Sequence, residues 1–412
     1  MGKSYKWLLI GMLSCAFFFH QADRALFGLL TIPIQKDIGL TDVQIGWINT
    51  TLSWTLAAMT VVAGFLGDRF SRKWIITLSL IAWSLMTICM GFIGGFVGAL
   101  FFRSIATGVG ESFYAPSAYA LIAVHHKETR SVALSIHQAA LYVGLMVSGL
   151  MVAWALGFLG TWRNVFIAFG AAGCALGVFF IWGLKDKSNN PVNPVNPVKN
   201  KTALSAGLRA YFCNPSALCA TAGFVAIVFV NNAYLFWAPK FAAEKFVLDV
   251  GEAGKGVMLW HHLFAFGAIL LGGVITDRFV KRMPRFRLGF QSVALICGAP
   301  MLVWIGLAPS FVGLLVAASA YGVFRGFFEV NTHASLFDVV SPEHRSTAVG
   351  LLNMIAFFFG GLSGVAMGAL SQKWGVRGFE IGFGVMAAAY AVGALLMAYS
   401  FFFTFRKNRV VE

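Results

Sequence analysis

Apolar residues gather into twelve runs, near 7–34, 44–66, 74–95, 97–123, 131–158, 164–184, 214–242, 255–275, 288–308, 311–339, 346–370 and 378–404, with short polar loops between them. About 20 apolar residues of helix span the hydrocarbon of a bilayer. The pattern therefore predicts an all-α integral membrane protein with twelve transmembrane helices. An even number of crossings places both termini on one side. Only one polar stretch has any length, Lys185 to Lys201, and Asn-Pro-Val occurs in it three times, at 190–192, 193–195 and 196–198. Proline at every third position is incompatible with helix and points to an extended tether. The expected organisation is a six-helix bundle over 1–184, a linker over 185–205 and a second six-helix bundle over 206–412.

The basic residues orient these spans. The termini and the loops after even-numbered spans hold 21 Lys and Arg, the opposite loops 7, and three lie inside spans, Arg24, Arg103 and Arg325. Short cytoplasmic loops carry the excess of positive charge, so both termini and the linker are expected in the cytoplasm and the chain in the inner membrane. Composition agrees: 58% of residues are hydrophobic and 11% charged, where a soluble domain has roughly 25% charged. The net charge of +15 is spread over the loops, facing anionic headgroups, which argues against a nucleic-acid partner. The first apolar run is too long for the core of a cleavable signal and has no small-x-small cleavage site. The six cysteines are scattered through apolar runs without a CxxC, so neither a metal site nor a disulfide is expected.

One signature occurs twice. Gly64 to Lys73 reads G-F-L-G-D-R-F-S-R-K, and Gly273 to Arg282 reads G-V-I-T-D-R-F-V-K-R, 209 residues later. Each copy follows a long apolar run and precedes another. Repetition at one topological place in each half points to duplication, the usual architecture of a transporter with its site between the halves. On these residues the chain resembles the major facilitator superfamily, whose loop signature lies between helices two and three and recurs between eight and nine. The resemblance implies two pseudo-symmetric bundles of the MFS fold. It also implies a conformational latch made by Gly64, Asp68, Arg69 and Arg72, by Gly273, Asp277 and Arg278, and by Arg130. In that reading the glycines let helices approach and the carboxylates meet basic residues at a helix end.

A finer resemblance is to two branches of that family, the anion:cation symporters and the Spinster-like group. Both have an Asp-Arg pair in helix one, here Asp23-Arg24. Both have an Arg followed by a glycine-rich run ending in Glu in helix four, here Arg103 to Glu111 with Gly108 and Gly110, followed by Pro116. Both open helix five with Arg-Ser or Arg-Ala, here Arg130-Ser131. In the family seven residues separate the Arg from the Glu; here the separation is eight. At about 100° per residue, eight steps leave the two side chains about 80° apart on a regular helix. Arg103 is therefore expected to point differently from its family counterparts.

Ionisable groups inside spans cost roughly 2.5–3.5 kcal/mol each on insertion scales and mark functional sites. His20, Asp23, Phe27 and Thr31 share one face of the first span, with Arg24 beside them. Arg103, Thr107, Glu111 and Tyr114 lie in the fourth. Burial favours a protonated carboxyl and a neighbouring guanidinium favours the ionised one, and that competition is what a proton-coupling site needs. Asp23 and Glu111 are therefore the proton-coupling candidates. Substrate-binding candidates are His20, Arg24, Arg103 and Tyr114, with His137 and Gln138 in the fifth span. In the second half they are Asn231, Asn232, Tyr234 and Trp237, one of the adjacent His261 and His262, and Arg325 and Glu329, with His333 a further turn on. The structural alternatives are an Asp23-Arg24 pair that neutralises itself, a Glu111–Arg ion pair, and an Arg325–Glu329 bridge that only braces its helix. The run Gly144 to Gly149 reads as helix packing, and Trp162-Arg163 as an interfacial anchor.

No G-x-x-x-x-G-K-[ST] run or large soluble segment supports an ATP-driven pump. A membrane enzyme using Glu111 or the histidine pair is the rival class, and no nucleophile–base constellation favours it; a sensor would need a signalling tail. The expectation is a monomeric secondary transporter without cofactor, whose partners are the lipid bilayer, a proton and a small organic anion such as a sugar acid or carboxylate, moved by H+ symport. The alternative is movement of a lysolipid or other amphiphile, with which the Phe-rich stretches 17–19 and 357–359 are compatible.

Overall fold

The computed structural model describes residues 3–67, 70–126, 129–185 and 201–410. The Asn-Pro-Val tether, Asp68 and Arg69 lie outside the described residues. Those described form helices, turns and short connections, without a strand. The long helices, in chain order, are α1 (Lys3–Leu29), α2 (Asp42–Gly67), α3 (Arg72–Met90), α4 (segments between Phe96 and His125), α5 (Arg130–Leu159) and α6 (Trp162–Gly183). After the linker come α7 (Pro215–Phe246), α8 (Val250–Val280), α9 (Phe286–Leu307), α10 (Phe311–Glu329, continued after a break by Thr332–Phe337), α11 (Arg345–Trp374) and α12 (Val376–Tyr399, continued to Asn408). Each coincides with one predicted apolar run. Among the described residues nine are both long and apolar enough to cross a membrane. The remaining three runs fall on α1, which carries Asp23 and Arg24, on α2, and on α4, which is divided into short segments.

Helices solve the one problem a bilayer imposes on the chain, since every backbone N–H and C=O must find its partner within the segment. Their surfaces are inverted relative to a soluble protein. Trp154, Phe158 and Trp182 are each more than 70% exposed, whereas His20, Asp23, Arg103, Glu111 and Arg325 are each at most 6% exposed. Turns are set by residues that tolerate a left-handed backbone: Gly160 ends α5 with φ 75°. The Thr161 hydroxyl then caps α6, accepting from the Asn164 N–H at 3.2 Å.

Two compact units can be distinguished. One comprises residues 1–195 with 235–259, and therefore includes the end of α7 and the start of α8; the other comprises 196–234 and 260–412. Within the first unit glycines set the helix approaches. A methyl on Gly144 would meet the Phe18 carbonyl at 2.7 Å, one on Gly110 would meet Trp83 at 3.0 Å, and one on Gly149 would meet the Gly254 carbonyl at 2.5 Å. Small residues at crossings are how apolar helices in lipid gain contact with one another.

Candidate functional site

The first unit buries a charged cluster where α1, α3 and α4 meet. Glu111 lies at its centre with a fully buried side chain. Its oxygens are 3.6 Å from His20 Nε2, 3.8 Å from Arg24 Nε and 3.9 Å from Arg103 Nη1. All three lie beyond ordinary hydrogen-bond length, and neither Glu111 oxygen has a hydrogen-bond partner among the described residues. Arg103 Nη1 is also 3.6 Å from Asp23 Oδ2, while its Nη2 donates to the Arg24 carbonyl at 3.0 Å. Gln21 Nε2 lies 3.0 Å from His20 Nδ1. With that amide donating, the imidazole carries its proton on Nε2, directed at Glu111.

Asp23 has a different neighbour. The Thr87 hydroxyl on α3 is 3.1 and 3.2 Å from the two Asp23 oxygens and 3.0 Å from the Trp83 carbonyl. A hydroxyl has one proton and two lone pairs. It can donate to an ionised Asp23, or turn to the Trp83 carbonyl and accept from a protonated one. The pair therefore accommodates both protonation states without moving a helix.

The extra residue between Arg103 and Glu111 is absorbed locally. Leu100–Ala106 is a π-helical turn, and the Thr107 hydroxyl donates to the Phe102 carbonyl, five residues back, at 2.7 Å. A π turn accommodates one more residue than an α turn. The expected offset of about 80° is cancelled, and Arg103 faces the cluster. This corrects the reading made on a regular helix.

Tyr114 and His137 are close by. The Tyr114 hydroxyl donates to the Leu13 carbonyl at 2.5 Å and lies 3.2 Å from His137 Nε2, and the Phe17 and His137 rings stack at 4.4 Å. Gln138 is separate, half-buried, accepting from the Tyr119 hydroxyl at 3.2 Å.

The second unit holds a smaller cluster. His261 Nδ1 lies 3.2 Å from the Ala318 carbonyl, which can only accept, so Nδ1 bears the proton. Nε2 then offers its lone pair to Arg325 Nη1 at 3.0 Å, and Arg325 Nη2 pairs with Glu329 at 3.2 Å. His261 stacks on Tyr321 at 4.8 Å and meets Tyr234 at 4.4 Å between ring centroids. Gly322 permits this approach: a methyl there would lie 2.3 Å from the His261 carbonyl. Both His261 and His262 are fully buried. The expected alignment of Asn232 is buried and Asn231 half-buried on α7.

Other candidates fall elsewhere. Trp237, in the first unit, lies 5.7 Å beneath the Lys240 ammonium. Lys240 is 5% exposed and ion-pairs with Asp42 at the start of α2, donates to Gln35 at 2.6 Å and lies 3.5 Å from Glu244. Sequence reasoning missed this cluster, since each member lies at the end of a run where a charge is unremarkable. Trp162 and Arg163 are a clamp rather than an interfacial anchor. Trp162 is buried, both donate to Asp37 at 3.0 Å, and Arg163 also holds the Gly91 and Ile93 carbonyls at 3.1 and 2.7 Å. Of the repeated signature, Gly64 is within α2, Arg72 opens α3, exposed Arg130 opens α5, and Asp277 and Arg278 are exposed in the last turns of α8. A methyl on Gly273 would make an ordinary 3.7 Å contact with Val330. The tight approach belongs to Gly272, where it would meet Phe327 at 3.1 Å.

Residues 12–309 match the family model of the Major Facilitator Superfamily. Protein spinster of Drosophila melanogaster is 26% identical over 90% of this chain and 63% of its own length. A probable galactarate/D-glucarate transporter of Bacillus subtilis is 24% identical over 68% of this chain and 66% of its own. The chain thus spans under two thirds of either relative. A probable sulfoacetate transporter of Cupriavidus necator is 25% identical over 94% of this chain and 92% of its own. The structure superposes on that of a bacterial homologue of the human lysosomal transporter Spinster with a TM-score of 0.83, over the whole of both chains at 20% identity, a likeness of fold. Twelve helices, a repeated signature and a match over most of its length together place the chain in the Major Facilitator Superfamily, as a multi-pass membrane transporter and not an enzyme.

Proposed function

We propose that this transporter is a proton-coupled symporter of a small organic anion working by alternating access, in the inner membrane with both termini cytoplasmic. The observation that carries the reading is the charge balance around Glu111. Asp23 and Glu111 are ionised in apposition to Arg24 and Arg103, and the sum is zero with His20 neutral. An anion arriving alone would leave a net negative charge in a medium of low dielectric. An anion arriving with a proton on one of the two carboxyls keeps the sum at zero. The guanidinium released by that protonation then meets the substrate, with Arg103 best placed because its Nε has no hydrogen-bond partner among the described residues. Proton loss on the cytoplasmic side restores the internal pair and favours release. The charge argument sets a stoichiometry of one proton per substrate charge met in this cluster. Relatives named for galactarate, D-glucarate and sulfoacetate support a sugar acid or a small carboxylate or sulfonate as the substrate class. Arg325, presented by neutral His261 beside Tyr234, Tyr321 and Glu329, is the anion-binding candidate of the second unit.

A second reading, movement of a lysolipid or other amphiphile, is favoured by the likeness to Protein spinster. An apolar cavity of about 580 Å³ beside α7, α11 and α12, lined by Phe229, Ile355, Phe359 and Leu396, also favours it. The deciding experiment is uptake into proteoliposomes with and without an imposed pH gradient, using galactarate, sulfoacetate and a lysophospholipid in turn. Gradient-dependent accumulation of either acid supports the first reading. Movement of the lysophospholipid alone overturns it.

A further inference from the structure

Four arginines from two distant parts of the chain converge in the second unit, away from both buried clusters. Arg282 and Arg285, between α8 and α9, and Arg406 and Arg409, at the end of α12, line a pocket of about 390 Å³ floored in part by Phe405 and lined by no carboxylate. The carboxylate that feels Arg409, Asp338, is engaged by Arg287 at 2.6 and 2.9 Å. The tail that brings Arg406 and Arg409 to the pocket is tied down. The Val410 N–H donates to the Asp338 carbonyl at 2.9 Å, and Asn408 Nδ2 to Ser216 at 3.1 Å.

Met283 belongs both to this pocket and to an adjoining apolar groove of about 400 Å³ between α9 and α12, lined by Phe286, Phe290, Val293, Phe401 and Phe402. Two local features shape the groove. The chain widens into a π turn over Ser400–Thr404, which places Phe401 and Phe402. Gly289 makes room for Phe401, whose ring would lie 2.8 Å from an added methyl, and Arg285 stacks over that same ring at 4.5 Å. Phe402 and Val293 are 64% and 56% exposed on the groove wall.

The bias of cytoplasmic loops toward Lys and Arg accounts for arginines in these two segments. It does not account for their convergence, without a carboxylate, at the mouth of an apolar groove. We propose that this surface binds an anionic phospholipid of the cytoplasmic leaflet. The phosphodiester would sit among Arg282, Arg285, Arg406 and Arg409, and an acyl chain would lie along the Phe-lined groove. Basic pockets on the cytoplasmic side recognise such headgroups by charge and by guanidinium–phosphate geometry. The amphiphile matches the order of the site, charge at the headgroup level and hydrocarbon beneath. The lipid here is a bound component of the membrane and not the transported substrate.

The test uses the full-length protein in liposomes that contain a photoactivatable phosphatidylglycerol or, separately, the matching phosphatidylcholine. Crosslinks from phosphatidylglycerol should concentrate in peptides covering 282–296 and 398–409, and those from phosphatidylcholine should not. In native mass spectrometry, replacing all four arginines by Gln should lower phosphatidylglycerol retention about tenfold or more. Val293→Trp should lower it with the arginines intact. Crosslinks spread evenly over the surface overturn the proposal, and so does equal retention by a folded four-arginine variant. Displacement of the lipid by inorganic phosphate would show an anion pocket without a place for the chain, and would overturn it too. The wild-type crosslinking pattern decides the question even where the variant does not fold.

Discussion

Coupling is decided by single protons. Asp23→Asn and Glu111→Gln fix each carboxyl in its neutral form, so both variants should lose accumulation driven by a pH gradient but keep substrate-for-substrate exchange in liposomes. Arg103→Ala should lose both activities. It removes the guanidinium that touches Asp23, Glu111 and the α1 backbone, and unpairing a buried charge costs about 3–5 kcal/mol. Wild-type pH dependence in both carboxyl variants would place the proton elsewhere, with Glu329 the next group to test. At this scale the residue types were legible, because a charge inside an apolar run stands out. Their partners were not. Thr87 and Gln21 are ordinary polar residues until the fold brings one beside Asp23 and the other beside His20.

At the scale of helices, the π turn in α4 is the device that lets an eight-residue spacing do what seven do on a regular helix. Deleting Ile105, which is 41% exposed, should convert Leu100–Ala106 to α-helix and leave Arg103 facing Glu111. Transport should survive within a few-fold, as measured by uptake. A one-residue deletion in regular α3, by contrast, turns the following face by about 100° and should abolish it. Loss of transport in a folded Ile105 deletion would show that the π turn has a role beyond register. Glycine contacts make a second prediction. Gly322→Val places a methyl 2.3 Å from the His261 carbonyl, with backbone on both sides of the clash, so it should lower the melting temperature clearly and loosen the His261–Arg325 contact. Gly273→Ala meets only a 3.7 Å contact and should leave stability unchanged.

For the whole molecule, alternating access requires the outer ends of the helices to part. Lys240, with Asp42, Gln35 and Glu244, joins the end of α7 to the start of α2, at the opposite end of α2 from the repeated signature. Lys240→Ala should weaken that closure. A cysteine at Thr31, a position buried beside it, should then react faster with an external maleimide than in a Lys240 background, in protein cleared of native cysteines. An unchanged rate would show that apolar packing alone, such as Phe27 on Phe236 at 5.5 Å, holds the closure. Orientation is tested the same way: cysteines at Asn193 and Lys373 should label from opposite sides of the membrane, and labelling from one side would refute the twelve-span topology.

The number of helices, their order, their expected orientation and the charged residues of α1, α4 and α10 are all readable along the chain. Each depends on properties of one segment, its apolar length, its flanking arginines or the cost of a charge within it. What the tertiary structure decided involves two segments at once. The pairing of Lys240 with Asp42, the holding of Trp162 and Arg163 on Asp37 and the convergence of four arginines on one groove join residues more than 100 positions apart. The π turn shows the boundary between the two. The sequence counted eight residues from Arg103 to Glu111, but the angle those residues subtend depends on the hydrogen bonds of the local turn, which form against the packed faces of α2 and α3.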